Sequence, residues 1–237
     1  MADAFAGKTA IVTGASRGIG SRIALALAGE GARVALVART RDDLARLATE
    51  IANESFVVEC DLTNRSDVDR ATNAIAKAFG GSPDILVNNA GIFQMSLVEE
   101  TDDQLFEKML GTNLVAPFRF MRAFLPAMRI RGSGDIVSIG SVADRKIFDG
   151  NAAYSASKFG LRAMHEVLRE ELRGSGIRST LVSPSGVDTP LWETVDAPGD
   201  PRDRSGMLKA DSVVSAVMFA LTQPRDVNVY ELRLSHS

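Results

Sequence analysis

Short apolar runs alternate with amphipathic stretches along all 237 residues, and this alternation limits the fold more than any other feature. The apolar runs are continuous, which is typical of strands covered on both faces by helices. The pattern predicts an α/β fold with a parallel sheet of about seven strands, helices on both faces and right-handed crossovers. The predicted strands are 9–13, 33–38, 56–60, 85–87, 135–139, 178–183 and 227–234, and the predicted helices are 18–30, 41–53, 65–79, 102–130, 152–174 and 210–222.

Charge and cysteine content argue against several classes of protein. The net charge is −3 and there is no block of basic residues, so we expect neither nucleic acid nor a membrane surface as a partner. No apolar stretch approaches the ~20 residues of a membrane helix, and the N-terminus lacks the layout of a signal peptide. Cys60 stands alone, and neither His165 nor His236 has a ligand partner at useful spacing, so we expect no disulfide and no metal. These features predict a cytoplasmic protein.

A glycine-rich turn follows the first predicted strand and opens the first helix. Its pattern is Gly-x-x-x-Gly-x-Gly, at Gly14, Gly18 and Gly20. Glycines let the backbone approach a diphosphate, and a helix N-terminus offers unpaired N–H groups and a partial positive charge. An ordinary glycine turn would look similar, but its position in the alternating sheet favours nucleotide binding and a doubly wound, Rossmann-like domain over residues 1–237. Ser16 and Ile19 lie in the same turn and are predicted to contact the cofactor.

The type of nicotinamide cofactor is indicated by two arginines. Arg39 stands at the end of the second strand, where an NAD site places an acidic residue, and Arg17 lies in the glycine turn. A guanidinium binds the 2′-phosphate of NADP with charge-assisted hydrogen bonds. Both arginines would also suit a solvated surface, but their two positions favour NADP(H) over NAD(H).

Tyr154 and Lys158 are the candidate catalytic pair. They lie four residues apart, on one face of a predicted helix. A nearby ammonium favours a phenolate, so we expect Lys158 to lower the pKa of Tyr154 and to make it a general acid or base. Ser141 ends the preceding strand, at the sheet edge where ligands bind, and its hydroxyl would hold a substrate oxygen or a local loop.

In these features the chain resembles the short-chain dehydrogenase/reductase family, in its single-domain branch. The resemblance runs from Lys8 to the strand near Leu234, and its motifs occur in family order. They are the glycine turn, Asp61-Leu62-Thr63, Asn88-Asn89-Ala90-Gly91, Asn113, Ser141 and Tyr154-x-x-x-Lys158.

The resemblance implies a role for each motif. Tyr154 would be the general acid/base, Ser141 would bind the substrate oxygen, and Lys158 would hold the nicotinamide ribose. Asn113 would position a water that links Lys158 to solvent, and an asparagine in mid-helix also suggests a local distortion. The remaining cofactor contacts would come from Asp61 and Leu62 at the adenine, from Asn88, Ala90 and Gly91 at the riboses, and from Pro184, Val187 and Thr189 near the nicotinamide and diphosphate.

Three features depart from the family pattern or extend it. Ser185 follows Pro184 where the family often has glycine, and Asp144 stands three residues past Ser141, also at a frequent glycine position. Asp144 would favour a basic or polar substrate or, in the reading we prefer, cap a turn. Residues 188–208 form a long loop, interpreted as a substrate lid rather than a surface excursion.

The predicted function is hydride transfer between NADP(H) and a small carbonyl or alcohol substrate, in a homodimer or homotetramer. The main alternative is a non-enzymatic NADP(H)-binding sensor or regulatory protein, and a second is an isomerase or dehydratase that uses the nicotinamide transiently. The substrate stays open, since fold does not decide it. The predicted pocket residues are Gln94, Met95, Gly140, Val142, Phe148, Leu191 and Trp192.

Overall fold

The computed structural model describes residues 3–51, 53–195 and 203–237, and a seven-stranded parallel sheet lies at its centre. The spatial order of the strands is β3-β2-β1-β4-β5-β6-β9, so the order reverses between β1 and β4. This confirms the predicted doubly wound sheet. The seven strands are β1 (Thr9–Thr13), β2 (Arg33–Ala38), β3 (Ser55–Glu59), β4 (Ile85–Asn88), β5 (Gly134–Ile139), β6 (Ile177–Pro184) and β9 (Glu231–Leu234).

Strand boundaries differ from the prediction where turns intervene. The last strand begins at Glu231 and not at Val227, because the Val227 N–H turns back to the carbonyl of Pro224 at 2.9 Å. A two-stranded parallel pair, β7 (Val187–Asp188) with β8 (Leu208–Lys209), was not expected. Strands of two residues carry too little periodicity to be read from a sequence.

The helices cover both faces of the sheet. The predicted helix 102–130 is interrupted by a π-helical turn at Gly111–Val115, which contains Asn113. Thr101 and Gln104 predict a capping box, but this prediction is wrong: Asp102 is the N-cap and its Oδ1 accepts from the Leu105 N–H at 2.7 Å. The helices are α1 (Gly18–Gly29), α2 (Arg41–Glu50), α3 (Arg65–Phe79), α4 (Asp103–Leu110), α5 (Ala116–Arg131), α6 (Ala152–Glu171) and α7 (Ala210–Leu221).

Two hydrophobic clusters hold the helices to the sheet, one on each face. On one face Leu27 of α1 and Val217 of α7 pack against strand residues such as Leu36, and all three are fully buried. On the other face Phe120 of α5 packs in the cluster of Ile136. Burying a side chain of this size contributes about 1.5–3 kcal/mol. The strands are therefore rigid supports for the loops at their ends.

Buried charges at the amino edge of the sheet are fully paired. Arg178 is 5% exposed, and its Nε donates to Asp135 Oδ1 at 2.6 Å. Its other nitrogens donate to backbone carbonyls, including those of Gln223 and Leu221. Arg225 donates to the second oxygen of Asp135 at 2.7 Å. The charges of Asp135 and Arg178 are therefore both paired, and the amino ends of β5 and β6 are held together.

No helix among the described residues is long and apolar enough to cross a membrane. Within the same residues, no group of three or more histidine, cysteine or acidic side chains could hold a metal ion. Cys60 is buried, and burial raises the pKa of its thiol to about 12.

Candidate active site

A cleft of about 1250 Å³ lies at the carboxyl edge of the sheet, above the point where the strand order reverses. This is the position where ligands bind in open α/β sheets. The predicted residues that line it are Gly14, Ser16, Arg17, Gly18, Ile19, Arg39, Asp61, Leu62, Ala90, Gly91, Ser141, Tyr154, Lys158, Pro184, Val187 and Thr189, together with all seven predicted pocket residues.

The glycine turn is shaped so that three of its positions exclude other residues. Gly14 and Gly18 adopt φ values of +66° and +62°, which are strained for other residues. A Cβ on Gly14 would lie 2.7 Å from the Ala90 Cα, and one on Gly20 would lie 2.2 Å from the Gly14 carbonyl oxygen. Gly20 therefore supports the cradle from behind and does not itself line the cleft.

Asn89 and Thr13 lock this turn to the loop after β4. The Asn89 Nδ2 donates to the carbonyls of Thr13 at 2.9 Å and Gly14 at 3.2 Å. In return the Thr13 hydroxyl accepts from the backbone N–H groups of Asn89 and Ala90, each at 3.1 Å. Asn89 belongs to the motif Asn88-Asn89-Ala90-Gly91, but no role was predicted for it. A pair of asparagines directly after a strand was the available signal.

Arg17, in the glycine turn, and Arg39, directly after β2, both line the cleft. Both are exposed, and neither side chain has a hydrogen bond or an ion pair in the part of the chain that the structure describes. Asp61 lies nearby, but its Oδ1 already accepts from the Thr63 N–H at 2.9 Å and the Thr63 hydroxyl at 2.8 Å. The two guanidinium groups are thus the available cations at this end of the cleft.

The candidate catalytic groups converge at the other end of the cleft. Lys158 is 4% exposed, and its Nζ donates to the carbonyl of Ile139 at 2.9 Å while lying 5.6 Å from the centre of the Tyr154 ring. Ser141 follows two residues after Ile139, and its hydroxyl lies near enough to Tyr154 to act on the pKa of the phenol. The end of β5 therefore holds both the ammonium and the hydroxyl against the start of α6.

Burial dominates the protonation of this pair. Desolvation raises the pKa of Tyr154, and the Ser141 hydroxyl acts against that rise. Desolvation also lowers the pKa of Lys158 to about 8. The expectation that Lys158 lowers the pKa of Tyr154 is not met, because burial disfavours the charged form of both groups.

The chain as a whole matches known proteins. Residues 8–199 match the model of the short chain dehydrogenase family. The chain belongs to the short-chain dehydrogenases. An uncharacterised oxidoreductase from Staphylococcus haemolyticus is 34% identical over 227 residues, with 95% of this chain and 96% of that protein covered.

Solved structures agree with this assignment. An alcohol dehydrogenase from Thermococcus sibiricus, complexed with 5-hydroxy-NADP, is 31% identical with a TM-score of 0.88, covering 97% of this chain and 96% of that one. A metagenomic short-chain oxidoreductase in complex with NADP is 32% identical with a TM-score of 0.85, covering 99% and 100%. The seven-stranded sheet of this short-chain dehydrogenase is thus the fold of those enzymes.

Asn113 has a role in this short-chain dehydrogenase that its sequence position did not reveal. Its Oδ1 accepts from the Ile92 N–H at 2.8 Å, and its Nδ2 donates to the Ile92 carbonyl and the Ser157 hydroxyl, each at 3.0 Å. The predicted helix distortion is confirmed as the π-helical turn around it. The side chain does not line the cleft; it fastens the loop after β4 to α6.

Asn88 is placed differently from its predicted role. It is 2% exposed and lies below the cleft, where its Nδ2 donates to the Ser138 hydroxyl at 3.4 Å. Ser138 in turn contacts His165 Nε2 at 2.8 Å, and His165 Nδ1 contacts the Ser179 hydroxyl at 3.1 Å. Burial lowers the pKa of His165 to about 4. Asn88 thus supports the site through a buried polar chain that includes His165.

Aromatic rings form the wall beside Tyr154. Phe93 packs edge-on against Tyr154, with 4.7 Å between ring centres, and against Trp192 at 5.2 Å. Trp192 belongs to a short 3-10 helix at Pro190–Thr194, inside the predicted lid 188–208. Residues 196–202 of that lid lie outside the described residues. Phe93 was missed because a single aromatic in a loop carries no periodic signal.

Asp144 does not lie at the cleft, and both interpretations of it are wrong. It is fully buried, so it does not meet a substrate, and its described hydrogen bonds come from side chains and not from the backbone N–H groups that a turn cap would bind. Its Oδ2 accepts from the Ser183 hydroxyl at 2.6 Å, and its Oδ1 accepts from Arg145 Nε at 2.7 Å. Ser185, the other departure, donates its N–H to the Leu234 carbonyl at 2.8 Å and ties β6 to β9.

Proposed function

We propose that this protein is an NADP(H)-dependent oxidoreductase that transfers a hydride between the nicotinamide and a carbonyl or alcohol substrate. The observation that carries the proposal is the convergence of Ser141, Tyr154 and Lys158 at one end of a dinucleotide-sized cleft, with two arginines near the other. NADP or an NADP analogue is bound in two structural relatives, which supports the same choice of cofactor.

The residues of the cleft fit such a cofactor. The surroundings of Gly14 and Gly20 leave no space for a Cβ, and the backbone N–H groups of this turn would bind the diphosphate. Arg17 and Arg39 would bind the 2′-phosphate, and Asp61 and Leu62 would border the adenine. The cofactor supplies the hydride chemistry when bound, and the protein supplies orientation and proton transfer.

Tyr154 is the proton donor in carbonyl reduction and the acceptor in alcohol oxidation. Its phenol, kept neutral by burial at physiological pH, is in the form that donates a proton. The Ser141 hydroxyl would hydrogen-bond the same substrate oxygen and orient it. Lys158 would hold the nicotinamide ribose and favour the phenolate once the proton has left. Asn113 would keep the π-helical turn open to a water that reaches Lys158.

The test is oxidation of NADPH with a panel of ketones and aldehydes, by the native chain and by Tyr154→Phe. We expect turnover by the native chain, and a loss of about 10²–10⁴-fold in kcat for the variant with unchanged NADPH binding. Retained activity in the variant would overturn the mechanism. Tight NADPH binding without turnover on any substrate would favour the sensor, and a product with no net redox change would favour the isomerase.

We also propose that the protein forms a homodimer or homotetramer. Large apolar side chains are exposed on helices at one side of the sheet: Phe118 of α5 is 47% exposed and Val167 of α6 is 58% exposed. Such residues on adjacent helices suit a self-complementary interface. Light scattering should give a mass of two or four chains, and a monomer would contradict the proposal.

A further inference from the structure

Asp144 is a buried carboxylate that the proposed mechanism does not use. It is 0% exposed, and it lies in the short 3-10 helix Val142–Asp144 directly after Ser141. A buried carboxylate costs several kcal/mol of desolvation unless it is paired and hydrogen-bonded. The contacts of this carboxylate therefore indicate which parts of the fold the charge holds in place.

Three elements are fastened by Asp144. Its carboxylate binds Ser183 of β6 and Arg145, and Arg145 continues to Glu231 of β9 at 2.5 Å. Its backbone carbonyl accepts from Arg162 Nε of α6 at 3.1 Å. Because α6 also carries Tyr154 and Lys158, Asp144 connects the catalytic helix to the two strands at the far side of the sheet.

The same carboxylate packs against the chain segment that presents the catalytic groups. A Cβ on Gly140 would lie 3.2 Å from Asp144 Oδ2 and 2.6 Å from Ser183 Oγ. Gly140 stands between Ile139, whose carbonyl holds Lys158, and Ser141. Asp144 and Ser183 thus lie directly against Gly140. The backbone on either side of Gly140 sets the positions of Lys158 and Ser141.

We propose that Asp144 is a positioning residue for the proposed reaction: its buried carboxylate fixes the Gly140–Ser141 segment and supplies a negative charge to the Tyr154–Lys158 pair. The inference rests on the proposed function, because the pair has no reaction to serve without it. The charged and titratable groups around Asp144 are Arg145 beside it, Arg162, Tyr154 and Lys158 on α6, and Glu231 on β9; Ser183 is the contact from β6.

The sign of the electrostatic effect follows from this arrangement. Burial is the largest influence on the pKa of both Tyr154 and Lys158, and the Asp144 charge raises the pKa of each. A negative charge disfavours the phenolate and favours the ammonium. Removing it should therefore lower the pKa of Tyr154, and removing its partner Arg145 should raise it.

The experiment is a fluorine NMR titration of Tyr154 in the full-length chain. The sequence has two tyrosines, so Tyr230→Phe leaves a single tyrosine, which is replaced with 3-fluorotyrosine. Fluorination makes the phenol more acidic and keeps its titration within the pH range of the folded protein. Tyr230 is 55% exposed and lies outside the cleft, so this background should keep its structure.

Three variants in that background separate charge from packing. We expect Asp144→Asn to lower the titration midpoint of Tyr154 by about half a pH unit or more, and Arg145→Gln to raise it. Ser183→Ala removes a hydrogen bond but keeps the charge, so its midpoint should stay unchanged. Equal midpoints in all variants, or the same downward shift in Asp144→Asn and Ser183→Ala, would overturn the proposal.

The titration needs no substrate, so its result is independent of the proposed activity. If Asp144→Asn does not fold, the upward shift in Arg145→Gln still tests the charge, because Arg145 is partly exposed. In alcohol oxidation, the acid limb of the pH profile of kcat should move to lower pH in Asp144→Asn. An unmoved limb alongside a shifted fluorine midpoint would contradict the catalytic part of the inference, whereas full activity in Tyr154→Phe would contradict the proposed function itself.

Discussion

Two buried cations at opposite edges of the same parallel sheet, Arg178 and Lys158, are paired to different extents. At the amino edge, Asp135 and Arg178 are the second residues of β5 and β6, and their charges are paired with each other, with Arg225 and with backbone carbonyls. At the carboxyl edge of β5, Lys158 is buried against one carbonyl, and its pKa falls to about 8. The difference between these two cations teaches that Arg178, which holds the fold together, is fully paired, whereas Lys158, which faces the cleft, keeps donors that a cofactor would use.

The largest expected effect at the carboxyl edge is that of Lys158→Met. Turnover should fall by about 10²–10⁴-fold, because the ribose contact and the charge beside Tyr154 are lost together. The free energy of unfolding should stay the same or increase, because a methionine avoids the desolvation that a buried ammonium requires. Denaturant unfolding and steady-state kinetics on one preparation would measure both. If Lys158→Met lost stability as well as activity, the contrast between the two edges of the sheet would be contradicted.

The corresponding change at the amino edge is Asp135→Ala. It leaves Arg178 buried without its carboxylate, so the free energy of unfolding should fall by about 3–5 kcal/mol. At temperatures where the variant stays folded, kcat should equal that of the native chain. Arg225→Gln is the matched control: the Arg225 side chain is 53% exposed, so this variant should lose less than about 1 kcal/mol. A drop in kcat per folded molecule would show that the two edges are coupled.

Cofactor preference should respond to Arg39 with a smaller effect. Arg39→Asp loses the charge-assisted bonds and adds repulsion, so kcat/KM for NADPH should fall by about 10–100-fold. The value for NADH should change by less than about threefold. Arg41, the first residue of α2 and outside the cleft, offers the control Arg41→Asp, for which we expect no change in the ratio. Equal losses with both cofactors would remove Arg39 from the 2′-phosphate site.

The smallest effect concerns His165, which lies between the two edges. Its pKa of about 4 in the folded chain is below the usual histidine pKa of 6.5, so the unfolded chain takes up a proton first as the pH falls. Stability should therefore fall between pH 6.5 and pH 4, by about 2 kcal/mol from pH 7 to pH 5. His165→Asn should flatten this part of the profile of unfolding free energy against pH. An unchanged slope would mean that another group causes it.

The sequence predicted what depends on periodicity and on local chemistry. Continuous apolar runs identified all seven strands of the main sheet, and the glycine turn, Ser141, Tyr154 and Lys158 stand at the cleft. Burial was not readable in this way. The sign of the shift in the pKa of Tyr154 and the buried position of Asp144 depend on contacts between residues far apart in sequence, such as Asp144 with Ser183.

The clamp between Asn89 and the glycine turn also bears on how the chain folds. Its hydrogen bonds join residues that are 75 to 77 positions apart, so the cradle cannot form until β4 has paired beside β1. Contacts of such sequence separation carry a loop-closure cost and form late in folding. A nascent chain that ends before β4 therefore has no nucleotide cradle, and a bound cofactor can stabilise this domain only after the strand order has reversed.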